Sequence, residues 1–143
     1  MVVRVIGVFC RLLHSLNLEG NSLGADEAKG IARALQDGNT ALKRINLRGN
    51  NLGTEGWCAI FHALRDNKEN KIESWDLSRQ GINVEIAKAL AENISVSAVL
   101  KNLNVSYNSD IKGEAAQQLA NDELRHPLLA SLRVHLRSKA EKH

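Results

Sequence analysis

The chain has 143 residues, 43% hydrophobic and 24% charged, which suits one domain burying about two thirds of its unfolded surface and excludes disorder over most of the length. With aromatics at 3%, the core is left to aliphatic layers. The formal charge of +3 is uneven: residues 1–124 carry 14 Lys and Arg against 15 Asp and Glu, while residues 125–143 carry five basic residues against Glu141, so a uniformly basic body is excluded.

Met1 to Phe9 is apolar except for Arg4, too short to span a bilayer and without the small-residue cleavage pattern of a secretory signal. No membrane segment occurs elsewhere in the sequence. From residue 13 a leucine comb sets in. Leu13-x-x-Leu16-x-Leu18-x-x-Asn21-x-Leu23 returns as Leu42-x-x-Ile45-x-Leu47-x-x-Asn50-x-Leu52, then as Ile72-x-x-Trp75-x-Leu77-x-x-Gln80-x-Ile82, then as Leu100-x-x-Leu103-x-Val105-x-x-Asn108. Leu129-x-x-Leu132-x-Val134 opens a fifth. The first apolar positions, 13, 42, 72, 100 and 129, are 28 to 30 residues apart, inside the range of long solenoid repeats.

Within each comb, alternation of apolar residues has the period of a strand, and the stretch that follows changes to helical period. Ala28, Ile31, Ala32 and Leu35 make the first helical stripe; Trp57, Ile60, Phe61 and Leu64 the second; Ala87, Leu90, Ala91 and Ile94 the third; Ala116, Leu119 and Ala120 the fourth. Strands joined in sequence through helices lie parallel. Stacking at about 4.8 Å for strands and about 10 Å for helices bends the stack toward the strands. The fold expected is therefore α/β: a right-handed solenoid over residues 1–143, with a parallel concave sheet, convex outer helices and a final strand near 129–136. Val2, Val3 and Ile6 precede Leu13 by the same distances as Ile31, Ala32 and Leu35 precede Leu42. Met1 to Val8 thus reads as the end of a preceding helix, in a fragment of a longer array or in a chain whose apolar N-terminal segment docks on another; the alternative is that Val2, Val3 and Ile6 form a cap of this chain's own, as strand or helix.

The pattern resembles the ribonuclease-inhibitor type of leucine-rich repeat, whose turn has Asn followed by Leu-Gly, here Asn21-Ser-Leu23-Gly24 and Asn50-Asn-Leu52-Gly53. The resemblance covers residues 13 to about 136. It implies a protein that binds proteins, since members of the family serve as inhibitors, sensors or activators of small GTPases. The family's turn Asn satisfies backbone groups where the chain leaves the strand, so Gln80, one carbon longer, predicts a distorted third turn.

Apolar comb residues point inward, so those between them line the open face. Asn17, Asn46, Asp76, Asn104 and Arg133 form the expected central column, with Ser15, Arg44, Ser74, Asn102 and Ser131 on one side and Glu19, Arg48, Ser78, Ser106 and His135 on the other. Lys43, Arg44 and Arg48 stand opposite Glu73 and Asp76, either as a self-neutralising ladder or as anchors for a carboxylate-bearing partner. The partner-binding candidates are Arg44, Asn46, Arg48, Asp76, Asn102, Asn104, Tyr107 and Arg133.

No Gly-rich phosphate loop, zinc spacing or nucleophile motif is present, so no enzyme, cofactor or metal site is expected. Cys58 and His62, four apart on a predicted helix, are two ligands where a metal needs more. Cys10 and Cys58 make no disulfide framework, and an intracellular, cytoplasmic setting follows by default. Asn93-Ile-Ser95 and Asn104-Val-Ser106 read as chance matches to a glycosylation sequon. The function expected is a non-catalytic interaction module or scaffold. Alternatives are an accessory subunit of a larger assembly, a GTPase-activator-like regulator, and a binder of nucleic acid or another anionic surface through Arg125, Arg133, Arg137, Lys139 and Lys142. Base-stacking aromatics are missing for the last of these.

Overall fold

The computed structural model describes residues 13–36, 41–97, 99–105, 107 and 108, and the backbone of Arg133–His135. Strands and helices alternate: β1 (Ser15–Asn17), α1 (Ala25–Gln36), β2 (Arg44–Asn46), α2 (Gly53–Asp66), β3 (Ser74–Asp76), α3 (Val84–Val96), β4 (Asn102–Asn104) and β5 (Arg133–His135). The Met1 to Val8 segment, Cys10 and the stripe at Ala116, Leu119 and Ala120 lie outside the described residues.

All strand pairs are parallel and the spatial order is the order of the sequence, β1-β2-β3-β4-β5. Through the fourth repeat the comb spacing predicts the pairing correctly: Leu16 stands opposite Ile45, and Trp75 opposite Leu103. The fifth strand departs from it. Val134, not Leu132, faces Leu103, and Arg133 faces Asn102 rather than Asn104, which has His135 as its neighbour. A two-residue offset preserves the alternation between faces, so the apolar pattern alone does not distinguish the two registers.

The middle residue of each of the strands β1 to β4 turns to the helix side. Ile45, Trp75 and Leu103 join the helical stripes in one core that includes Leu47, Leu77 and Val105. Leu16 and Leu18 are only partly buried, because within the described structure the second repeat covers them from one side. The flanking strand residues stand on the opposite face and are mostly exposed or half-exposed. Purely aliphatic layers are not what forms. Trp57 and Phe61 of α2 stack at 5.7 Å, and Trp75 of β3 meets both edge-on at 6.1 and 5.6 Å, an aromatic wedge between the second and third repeats.

Neighbouring helices pack side by side, α1 on α2 and α2 on α3. At the first contact Gly56 is buried, and a Cβ there would lie 2.9 Å from Ala28 Cβ and 3.0 Å from Leu52 Cβ. The helices start in different ways. Glu27 accepts from the Gly24 amide before α1, while Asn83 caps α3 by accepting from Ile86 N at 3.0 Å and donates to Thr54 Oγ1 in the previous repeat. No described helix is long and apolar enough to cross a membrane.

Candidate functional site

The turns after the strands fix the edge of the open face. Asn50 Oδ1 accepts from the amides of Asn21 and Leu23 in the first repeat, while its Nδ2 donates to the carbonyls of Leu18, Leu47 and Arg48. Asn108 does the same two junctions later, accepting from Gln80 N and Ile82 N and donating to the carbonyls of Leu77 and Val105. The comb asparagine is therefore a clasp that reaches back one repeat. Gln80 does not reach: its Nε2 donates to Ser78 and Arg79 carbonyls in its own turn. The third turn keeps its local shape, with Arg79 and Gly81 at φ 57° and 65° where the first has Gly20 and Ser22 at 67° and 54°. The expected distortion of the turn is therefore not found; what Gln80 changes is the side-chain connection to the second repeat.

The β2–β3 junction, which lacks this clasp, is also the more open one. Three residue pairs join β1 to β2 and β3 to β4, but only Arg44 and Ser74 pair between β2 and β3. Leu18 N bonds to Asn46 O and Leu77 N to Asn104 O, whereas Leu47 N has no counterpart bond among the described residues. Two departures from the comb meet here, the indole of Trp75 in a layer otherwise made of Leu and Ile, and Gln80.

On the open face the predicted central column holds for Asn17, Asn46, Asp76 and Asn104 but not for Arg133, and its first three members take a different role. Asn17 Oδ1 accepts from Glu19 N, Asn46 Oδ1 from Arg48 N, and Asp76 Oδ1 from Ser78 N and Ser78 Oγ at 3.1 and 2.7 Å. Each closes the bend from its strand into its turn. Both Asn residues thereby have one of the two acceptor positions of the side-chain oxygen engaged. Their Nδ2 groups are left as donors, with Asn46 Nδ2 at 3.5 Å from Glu19 Oε2.

The charged residues divide unequally. Lys43 lies 3.8 Å from Glu73 and Arg48 Nη1 lies 3.5 Å from Asp76 Oδ2, while Arg48 Nε is buried without a partner. Arg44, exposed between Ser15 and Ser74 in the same row, has no carboxylate within ion-pair reach among the described residues. Only part of the expected ladder is neutralised. A shallow basin of about 320 Å³ opens over this region, lined by Arg44, Asn46, Arg48, Ser74 and Asp76 together with Ser15 and Asn17.

The remaining candidates lie away from the basin. Asn102 is exposed and Asn104 half-buried on β4, and Arg133 falls in the row of Asn102, not in the central column. Tyr107 sits in the fourth turn at φ 58° with the Arg79 guanidinium carbon 4.7 Å from its ring centroid. Arg79 is absent from the residues expected from the sequence. Its signal was legible all the same, because Arg79 and Tyr107 occupy the comb position held by Gly20 and Gly49.

Cys58 and His62 on α2 turn to separate partners, Cys58 Sγ to the Glu85 carbonyl at 3.8 Å and His62 Nε2 to Glu92 at 3.6 Å. Burial, then Glu85 and Glu92, push the Cys58 thiol up, so it stays protonated at neutral pH. No cluster of three or more metal-binding side chains occurs among the described residues. Asn93 of the first sequon is buried in α3, and Asn104 of the second lies in β4.

No curated protein matches the chain. Residues 38–60, which hold β2, its turn and the first half of α2, match the family model described as Leucine Rich repeat, so the chain carries a leucine-rich repeat in this segment.

Proposed function

We propose that the chain is a non-catalytic protein-interaction module that binds an acidic protein surface through the open sheet face around Arg44. Leucine-rich repeats commonly mediate contacts between proteins, and stacked repeats expose one extended face to do so. The observation that carries the reading is the donor excess of that face. Asn17 and Asn46 each engage one acceptor position of their side-chain carbonyls in their own turns, and Arg44 stands unpaired beside them. Carboxylates are the groups such a face fits, and guanidinium takes them bidentately. Arg48 supports rather than leads, because Asp76 already holds it.

In this reading residues 1–143 form one right-handed solenoid of the ribonuclease-inhibitor-like type, with the helices outside and the sheet concave, in a cytoplasmic protein. Five strands give an open face on the order of 400 Å², against about 800 Å² per partner in a standard interface, so turns or ends of the stack add to the contact. Affinity capture from native lysate with Arg44→Ala beside the unaltered chain tests it. A protein retained by the unaltered chain and lost by the variant, at equal melting temperature, is the expected result. A partner retained equally by both would sink the sheet-face reading.

A further inference from the structure

The four turns share one backbone demand. The residue before the clasp position lies in the left-handed region in every repeat: Gly20 at φ 67°, Gly49 at 69°, Arg79 at 57° and Tyr107 at 58°. Glycine meets this demand without steric cost, whereas a residue with a Cβ does not. Stability alone therefore favours glycine at all four. Two successive turns instead carry an arginine and a tyrosine whose side chains meet, with the cation over the ring. Such a contact at an exposed site offsets only part of the backbone cost.

Arg79 is exposed, and no carboxylate lies within ion-pair distance of it among the described residues. A guanidinium held over an aromatic face keeps its N–H edge available for a planar, bidentate acceptor, and its side chain is ordered before binding. The neighbouring turns lack an equivalent group, since Gly20 and Gly49 carry no side chain there. A charged, pre-ordered donor is thus confined to the third and fourth turns.

We propose that Arg79 and Tyr107 form a docking platform at the turn edge for a carboxylate-rich segment of a protein partner. The platform rests on the protein-binding reading above and extends it from the sheet face to the edge of the stack. The partner segment supplies Asp or Glu side chains, which the Arg79 guanidinium receives while Tyr107 holds it in place.

The test is an NMR titration of the full chain with labelled hexaglutamate peptide, following the Arg79 Nε–Hε signal, with anisotropy for affinity. In the free protein that signal is expected to be displaced by the Tyr107 ring current and to return toward the ordinary position in Tyr107→Leu. Addition of peptide moves it. Arg79→Gly lowers peptide affinity about tenfold or more, as loss of a charged hydrogen-bond pair does, while its melting temperature stays level or rises. A clear fall in melting temperature in both Arg79→Gly and Tyr107→Gly would make the pair a structural clasp and overturn the proposal. So would unchanged peptide affinity in Arg79→Gly, absence of binding by the unaltered chain, or a signal that responds to oligothymidylate and not to hexaglutamate. Arg44→Ala separates the two surfaces: affinity lost there and kept in Arg79→Gly leaves the sheet face standing and removes the platform.

Discussion

Asn50 is a single amide that joins two repeats through five hydrogen bonds, accepting two from the first turn and donating to three carbonyls. Replacing it by alanine leaves those backbone groups without partners, and Asn50→Ala is expected to cost about 3 kcal/mol, measured by urea unfolding. Gln80 shows the converse. Its side chain ends inside its own turn, so Gln80→Asn is expected to restore the reach to the second repeat and raise the melting temperature. A neutral or lower value would mean that Trp75, not Gln80, keeps the junction open. At Cys58 the sign follows from a raised thiol pKa. The folded thiol ionises at higher pH than the unfolded one, so as pH rises past the unfolded value the unfolded chain ionises first and stability declines. Iodoacetamide labelling of Cys58, resolved by peptide mass spectrometry, should reach half its maximal rate at higher pH in the folded chain than in urea.

Among the elements, the helices differ in what holds their starts and how closely they approach. α3 begins on the Asn83 cap, so Asn83→Ala should cost about 1 kcal/mol and free Thr54 as well. α1 and α2 meet at Gly56, where a methyl would press on Ala28 and Leu52. Gly56→Ala sets a better helix former against that crowding. Because both neighbours sit on packed elements, crowding prevails, and thermal melting should show a net loss of stability. The strands are three residues long, which places their identity in the comb and the clasps more than in the ladder.

At the scale of the whole molecule, the stack is closed by clasps at the first and third described junctions and left open at the second. Amide hydrogen exchange should report this directly: Leu47 N is expected to exchange faster than Leu18 N and Leu77 N, although Leu47 itself is buried. Equal protection at the three amides would show that the junction is closed in solution. Arg48 and Asp76, which line the basin, meet across this junction at 3.5 Å. Burial of Leu47 at the centre of the core sets the scale for packing loss, and Leu47→Ala should cost about 2 to 5 kcal/mol by circular dichroism melts.

Read from its residues alone, the chain yields the repeat length, the alternation of strand and helix, the parallel order of the sheet and most of the core, because each follows from a local apolar period repeated near 29 residues. Arg44, Asn46, Arg48 and Asp76 were placed on one open face by the same alternation. Beyond the strand pairing and the opposition of Lys43 and Arg48 to Glu73 and Asp76, contacts between repeats were not legible. That the Asn46 and Asp76 oxygens close their own turns, that Arg44 is left unpaired while Arg48 is not, that Arg79 lies over Tyr107, and that Arg133 pairs two residues out of the expected register all depend on side-chain reach and on how neighbouring layers fit. A period specifies which way a residue faces. Only the packed stack decides what it meets there, since hydrogen bonds and ion pairs are settled by differences of about an ångström that no spacing in the sequence encodes.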